Sequence, residues 1–394
     1  MRFRIDGVHT SVNAAPRSAC ATSACGGRPV GNRLSYVRPI IVPLGGFLGS
    51  GKTTLILAAS RVLKGRGVRV AAILNDQGNN LVDTEFVSAN GIAADQVTGG
   101  CFCCRFSELI DAAERLRAWS PDVIFAEAVG SCTDISATTL QPLKLYYSQQ
   151  FRLAPYTVLM DPERAHELGR SDAGSDLSFL FQTQIDEADL VCFNKVDRHS
   201  EFPNITGAPV RYLSALTGQG VAEWLDEVLA GEVPSGGRIL DIDYERYARA
   251  EAALAWLNCS ASVKLDPPLS PALLIGPLLD ELRHALAAEG LRIVHLKLSD
   301  DSACGYLKAS IVSSGEEPLV HGMLDASPAE LHQLLLNVRA EGDPATLQRI
   351  VEEKLATLPG EIEFGNMQCF SPAPPKPEHR MASVATAAAE GIQT

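Results

Sequence analysis

Three of the chain's ten cysteines fall within four residues: Cys101, Cys103 and Cys104, in the run Gly99-Gly100-Cys101-Phe102-Cys103-Cys104. Thiolates are soft ligands that favour Zn²⁺ or Cu(I) over Mg²⁺ or Ca²⁺, and Co²⁺ also fits. A closed zinc site takes four ligands, and this run supplies three. Cys103 and Cys104 are adjacent, so both reach one ion only where the backbone turns sharply. Gly99 and Gly100 supply some of that freedom. Three thiolates leave one position open, which suits transfer of an ion better than permanent structure. Cys132, in Gly130-Ser131-Cys132-Thr133-Asp134, is the candidate fourth ligand. The plain alternative is a redox pair or incidental thiols.

Upstream stands Gly46-Phe47-Leu48-Gly49-Ser50-Gly51-Lys52-Thr53, a G-x-x-x-x-G-K-[ST] loop. It follows an apolar run over 40–44, read as a buried strand, and precedes a helix predicted over 53–63. That is the context the motif requires. Gly46, Gly49, Ser50 and Gly51 let backbone N–H groups converge on phosphate oxygens, and the helix N-terminus adds its positive end. Lys52 neutralises the β and γ phosphates. Thr53, followed by Thr54, offers its hydroxyl to Mg²⁺. Glu127 and Asp76 end predicted strands, where carboxylates hold Mg²⁺ or orient water. They join Lys52 as catalytic candidates, although each can equally be a helix cap or loop acid.

Asn194-Lys195-Val196-Asp197 follows an apolar strand. A carboxylate at Asp197 can accept from both N1–H and the amino group of guanine. Adenine would leave it unpaired, and a buried unpaired group discriminates strongly. Ser214-Ala215-Leu216 follows another short strand and supports the base from the opposite side. The nucleotide-binding set is therefore the glycine loop with Asn194, Lys195, Asp197, Ser214 and Ala215, and its ligands are GTP and GDP with Mg²⁺.

Strands predicted over 40–44, 68–74, 123–126, 156–160 and 190–193 alternate with helices such as 106–119 and 221–229. That alternation implies α/β architecture, a parallel sheet covered on both faces. This P-loop GTPase domain is placed at 39–231. Residues 232–252 read as a linker, rich in Pro, Ser and Gly at its start. Residues 253–365 read as a smaller α+β unit close to a ferredoxin-like split βαβ with an extra strand. In it, Asp343-Pro344 starts a helix as an N-cap followed by proline should. Residues 366–394 read as a disordered tail.

The net charge of −13 argues against nucleic-acid binding, which needs a basic face. No stretch reaches about 18 consecutive apolar residues, so no membrane span is expected. The scattered Cys192, Cys259, Cys304 and Cys369 fit buried free thiols in a reducing, cytoplasmic setting. Residues 1–38 hold six arginines against one acid, with Cys20 and Cys25 among them. They resemble an organellar transit peptide in composition, but are read as a disordered extension.

In this order, Gly45 to Thr54, Gly100-Cys101-Phe102-Cys103-Cys104 and Asn194-Lys195-Val196-Asp197 resemble the CobW-type GTPases, relatives of the UreG and HypB metallochaperones. The resemblance spans roughly 39–365. It implies a SIMIBI-class fold and GTP-dependent delivery of Zn²⁺ or Co²⁺ to a client metalloprotein or a cobalamin-pathway protein. A homodimer is an option. Two positions depart from the family pattern: Glu127-Ala128-Val129-Gly130 stands for Glu-Thr-Ser-Gly, and Asn75-Asp76-Gln77-Gly78 for Asn-Glu-Phe-Gly. The expectation is a GTP-hydrolysing metallochaperone. Its rivals are a P-loop ATPase or kinase with a structural zinc, and a nucleotide-gated scaffold with negligible turnover.

Overall fold

A computed structural model describes residues 38–78, 82–170, 175–312 and 317–385. The basic N-terminal stretch, with Cys20 and Cys25, lies outside the described residues.

Eight parallel strands form the first sheet: β1 Ile40–Gly45, β2 Val70–Asn75, β3 Ala93–Val97, β4 Val123–Glu127, β5 Arg152–Leu153, β6 Thr157–Met160, β7 Leu190–Phe193 and β8 Val210–Tyr212. Their order is β3-β2-β4-β1-β6-β7-β8, with β5 beside the start of β1. β1 is apolar throughout and central, as the sequence requires of a strand covered on both faces. Pro43 is tolerated there for a specific reason. Leu44 O accepts from Ala128 N on the β4 side. Pro43 therefore faces the other edge, where β1 changes partner from β5 at Ile41 to β6 at Leu44. A missing donor in that gap breaks no ladder bond. β3 carries Ala-Ala-Asp-Gln-Val and is only partly buried, so it lacks the apolar signature by which the other strands were read.

Six antiparallel strands form the second sheet: β9 Leu254–Leu269, β10 Arg292–Ser302, β11 Gly305–Ile311, β12 Leu319–Gly322, β13 Ala329–Glu341 and β14 Glu361–Phe370. Their order is β12-β11-β10-β13-β9-β14. With helices Pro271–Ala288 and Pro344–Ala356, strands β9, β10, β13 and β14 make the expected split βαβ. The insertion is two strands, β11 and β12, rather than one.

Alternation sorts the residues of this sheet by face. Leu257, Leu296, Leu298, Leu307, Leu336 and Val338 pack on the two helices in one core. The intervening residues, including Asn258, Lys297, Lys308, Asn337 and Arg339, face the first domain. Trp256 and Val294 are buried in the first domain's own hydrophobic cluster.

Two expectations are corrected. The segment 232–252 ends in a helix, Tyr244–Ala252, whose N-cap Asp243 accepts from Glu245 N and Arg246 N. Residues 366–385 are not free of structure: β14 runs to Phe370 because it pairs with β9, while 386–394 lie outside the described residues. Residues 371–385 then lie against the first domain, with Arg380 Nε 2.8 Å from Asp134. Both segments are polar in composition and are held by tertiary contacts rather than by their own periodicity. No described helix is long and apolar enough to cross a membrane.

Candidate functional site

The glycine loop sits between β1 and helix Lys52–Gly65. Gly46, Gly49 and Gly51 all have positive φ, at 124°, 82° and 94°. At Gly51 an added Cβ would also lie 2.3 Å from Asn194 Nδ2, so this position needs glycine for both backbone and space. Lys52 Nζ folds back on the loop and donates to Gly46 O at 2.7 Å. Burial pushes its pKa down, opposed first by the Glu127 charge. Thr53 Oγ1 lies 3.1 and 3.0 Å from the two Glu127 carboxylate oxygens. Burial pushes the Glu127 carboxyl up, with Lys52 pulling the other way. The hydroxyl and carboxylate thus offer hard oxygen ligands suited to Mg²⁺. Asp76 is engaged elsewhere: Arg339 Nη2, from β13, reaches its oxygens at 2.7 and 2.9 Å.

Asn194 ties the loop after β8 to the glycine loop. Its Nδ2 donates to Ser50 O at 2.8 Å, and its Oδ1 accepts from Ala215 N at 2.9 Å. Lys195 adopts a left-handed backbone (φ 62°) and pairs with Asp161 at 2.5 Å. Asp197, Ala215 and Leu216 line the same cleft as Thr54 and the glycine loop. Ser214 instead turns its buried hydroxyl to Thr217 N. The cleft is partly open to solvent.

The cysteine run forms a turn before helix Phe106–Leu116. Cys104 N and Arg105 N both return to Cys101 O, which folds the adjacent cysteines toward one point. Asn75, at the end of β2, pins this turn: it donates to Val97 O and Gly100 O and accepts from Phe102 N. The sulfur separations are 2.6 Å for Cys101–Cys103, 3.5 Å for Cys101–Cys104 and 3.7 Å for Cys103–Cys104. Cys132 lies 4.0 Å from Cys103 and joins it and Cys101 in one compact set, from which Cys104 is left out. Sulfurs sharing a tetrahedral zinc stand about 3.8 Å apart. Three of the four separations are near that value, and the Cys101–Cys103 pair would open to reach it. Cys101, Cys103 and Cys132 are buried with their sulfurs all within 4.8 Å of one another.

Cys132 is drawn down to about 6 by the Cys101 and Cys103 thiols, against burial. Cys104 is pushed up to about 11, first by its Cys101 neighbour.

The family model described as CobW/HypB/UreG, nucleotide-binding domain, matches residues 40–208. Over this stretch the chain is similar to the nucleotide-binding domains of that family. The chain is 26% identical over 255 residues to a zinc chaperone, CobW, of Pseudomonas aeruginosa, a match covering 56% of this chain and 60% of that protein. It is 29% identical over 171 residues to the zinc chaperone YjiA of Escherichia coli, covering 41% and 51% respectively. The matched region therefore spans about half the length of these relatives. A solved structure of HypB from Helicobacter pylori, in complex with nickel, covers 50% of this chain and 87% of its own, at 18% identity and TM-score 0.38.

Several residues of the site were not read from sequence. Tyr247, in the segment taken as linker, accepts from Thr133 N with its hydroxyl, and so holds the loop beside Cys132. Residues of the C-terminal segment lie over the cysteine turn. Lys376 N donates to Cys104 Sγ at 3.1 Å, and Glu378 N to Cys103 O at 2.9 Å. Lys297, Lys308 and His295 enter the nucleotide cleft from the second sheet. Their signal was present as the alternation His295-x-Lys297-x-Ser299 and Tyr306-x-Lys308-x-Ser310, polar at every second strand position.

Proposed function

We propose that the protein is a GTPase metallochaperone that couples nucleotide state to the binding and release of Zn²⁺ or Co²⁺. The metal is its cargo, held by Cys101, Cys103 and Cys104 with Cys132 as the closing ligand, and the recipient is a client metalloprotein. One observation supports this reading: Glu127 ends β4 and Cys132 lies in the loop that directly follows, so one short stretch of chain links the carboxylate beside the P-loop threonine to a cluster thiol.

In this reading Lys52 leaves the Gly46 carbonyl for the β and γ phosphates, and Thr53 with Glu127 holds Mg²⁺. The ion supplies charge for the phosphate oxygens. Asn194 and Ala215 set the base corner, where Asp197 accepts from guanine. Glu127 orients the attacking water. Loss of the terminal phosphate shifts the Glu127–Gly130 stretch. That changes the distance of Cys132 from Cys103, and with it the metal affinity. A tenfold change corresponds to about 1.4 kcal/mol, within the usual range of coupling between sites.

Competitive zinc titration of the apo, GDP-bound and GTP-bound protein tests the coupling. Affinities that differ at least tenfold between nucleotide states support it. Equal affinities, with GTP turnover indifferent to both Zn²⁺ and Co²⁺, overturn it.

A further inference from the structure

We infer that Lys297 and Lys308 of the second sheet bind the terminal phosphate of the nucleotide, so that the C-terminal domain distinguishes triphosphate from diphosphate. This rests on reading the cleft as a nucleoside-phosphate site.

Lys297 on β10 and Lys308 on β11 stand on the face of the sheet turned to the first domain, and both line the cleft that contains Lys52, Thr53 and Glu127. Each is paired with one carboxylate, Asp83, in the first turn of helix Val82–Ala89; the Lys308 contact is 3.0 Å. Lys308 is buried, and the Lys297 and Asp83 side chains are 17% and 16% exposed. The triad therefore carries one positive charge in excess of its own neutralisation, in a largely dry site. An excess buried charge is costly until a counter-ion arrives. The excess lies near enough to the phosphate machinery to be felt there: Lys297 acts on both Lys52 and Glu127, and Asp83 does the same with opposite sign.

The sheet is also docked directly on the phosphate loop. A Cβ added at Gly49 would come within 2.7 Å of Val312, the residue after β11. Arg164 Nη2 holds the Val312 and Val294 carbonyls, at 2.5 and 3.3 Å. A glycine loop of this type cradles the inner phosphates and its lysine reaches the β and γ phosphates, which leaves the outer face of the terminal phosphate open to whatever surface lies against the loop. In this chain the surface it meets is the Lys297–Lys308 face. One lysine transfers from Asp83 to the terminal phosphate while the other keeps Asp83 neutralised. The diphosphate offers no group at that position, so Asp83 keeps both.

The experiment compares the equilibrium affinities of full-length protein for GDP and a non-hydrolysable GTP analogue, each with Mg²⁺. Variants are Lys297→Ala, Lys308→Ala and the charge-conserving Lys308→Arg. The expected result is a loss of analogue affinity of tenfold or more in each alanine variant. GDP affinity should change less than threefold, which also reports that the cleft is folded, and Lys308→Arg should retain most of the selectivity. If the variant that retains GDP binding also binds the analogue as wild type does, the inference is overturned while the nucleotide site stands. Equal losses for both ligands overturn it as well, by assigning the lysines to folding. Wild-type protein that binds neither nucleotide refutes the reading of the cleft itself.

Discussion

Thr53 Oγ1 is placed 3.0 and 3.1 Å from the two oxygens of Glu127, joining the first turn of one helix to the end of β4. The pair comes from sequence positions far apart, and no other described side chain is recorded in a hydrogen bond to Glu127. Removing either partner should strip the hard oxygen ligands from the phosphate site. Thr53→Ala and Glu127→Gln are each expected to lower GTP turnover by about 100-fold or more, the order seen when one group of a preorganised electrostatic site is deleted. Phosphate release under saturating GTP and Mg²⁺ measures this. Turnover within threefold of wild type in Glu127→Gln would remove Glu127 from the mechanism.

Asp197 lies at the base end of the cleft, its side chain 16% exposed and only loosely paired with Arg198 at 3.7 Å. That leaves its oxygens available to a base. Asp197→Asn presents an amide donor to guanine N1–H and should cut GTP affinity by two orders of magnitude or more, because buried polar mismatches are strongly penalised. ATP affinity should hardly change. Fluorescent nucleotide titration checks both. Unchanged GTP binding, or a wild-type preference for ATP, would favour an ATPase instead.

Cys132 approaches Cys103 across two loops, whereas Cys104 approaches it within one turn. Cys132→Ser should weaken zinc binding by tenfold or more and make the residual affinity insensitive to nucleotide. Cys104→Ser should weaken binding while leaving the nucleotide effect in place. Chelator competition in the GDP and GTP-analogue states separates the two. A Cys132→Ser variant with wild-type zinc affinity would leave the three thiolates of the turn as the whole site.

Glu187, fully buried beneath the Cys132 loop, accepts from Thr133 Oγ1 and Ser136 N. Burial raises its carboxyl from an ordinary 4.5 to about 8. The folded protein thus holds a proton that the unfolded chain releases above pH 4.5. The stability from this group is complete below about 4.5 and lost as pH rises toward 8, at up to about 1.4 kcal/mol per pH unit. Glu187→Gln should flatten that slope. Urea midpoints at pH 5.5 and 7.5 test it: a wild-type shift no larger than the variant's would show that Glu187 ionises normally.

How much of this was legible follows from the range over which each feature is determined. The phosphate loop and the cysteine turn are local. Glycines at 46, 49 and 51 and cysteines at 101, 103 and 104 constrain a few neighbouring dihedrals, and adjacent side chains can reach only so many arrangements. Strand alternation likewise marks the two faces of β10 and β11 from sequence alone. The structure also shows why β3 was hidden: its Ala-Ala-Asp-Gln-Val stretch forms a strand because it pairs with β2, not because of its own pattern. The segment after Phe370 was hidden because tertiary contacts hold it, whereas helix Tyr244–Ala252 carried a local signal in its N-cap Asp243.

By itself, then, the sequence determined which chemical groups are available: a glycine loop of the phosphate-binding type, a turn of thiols and a carboxylate at Asp197. Which distant groups complete them was decided by the docking of one sheet on the other domain. That docking gives Asp76 to Arg339 and sets Lys297 and Lys308 on Asp83 within the nucleotide cleft. Cys132 meets Cys103 within the first domain, where the loops after β3 and β4 converge. These pairings depend on how two folded surfaces fit, a property of many residues at once, and no short spacing along the chain encodes it.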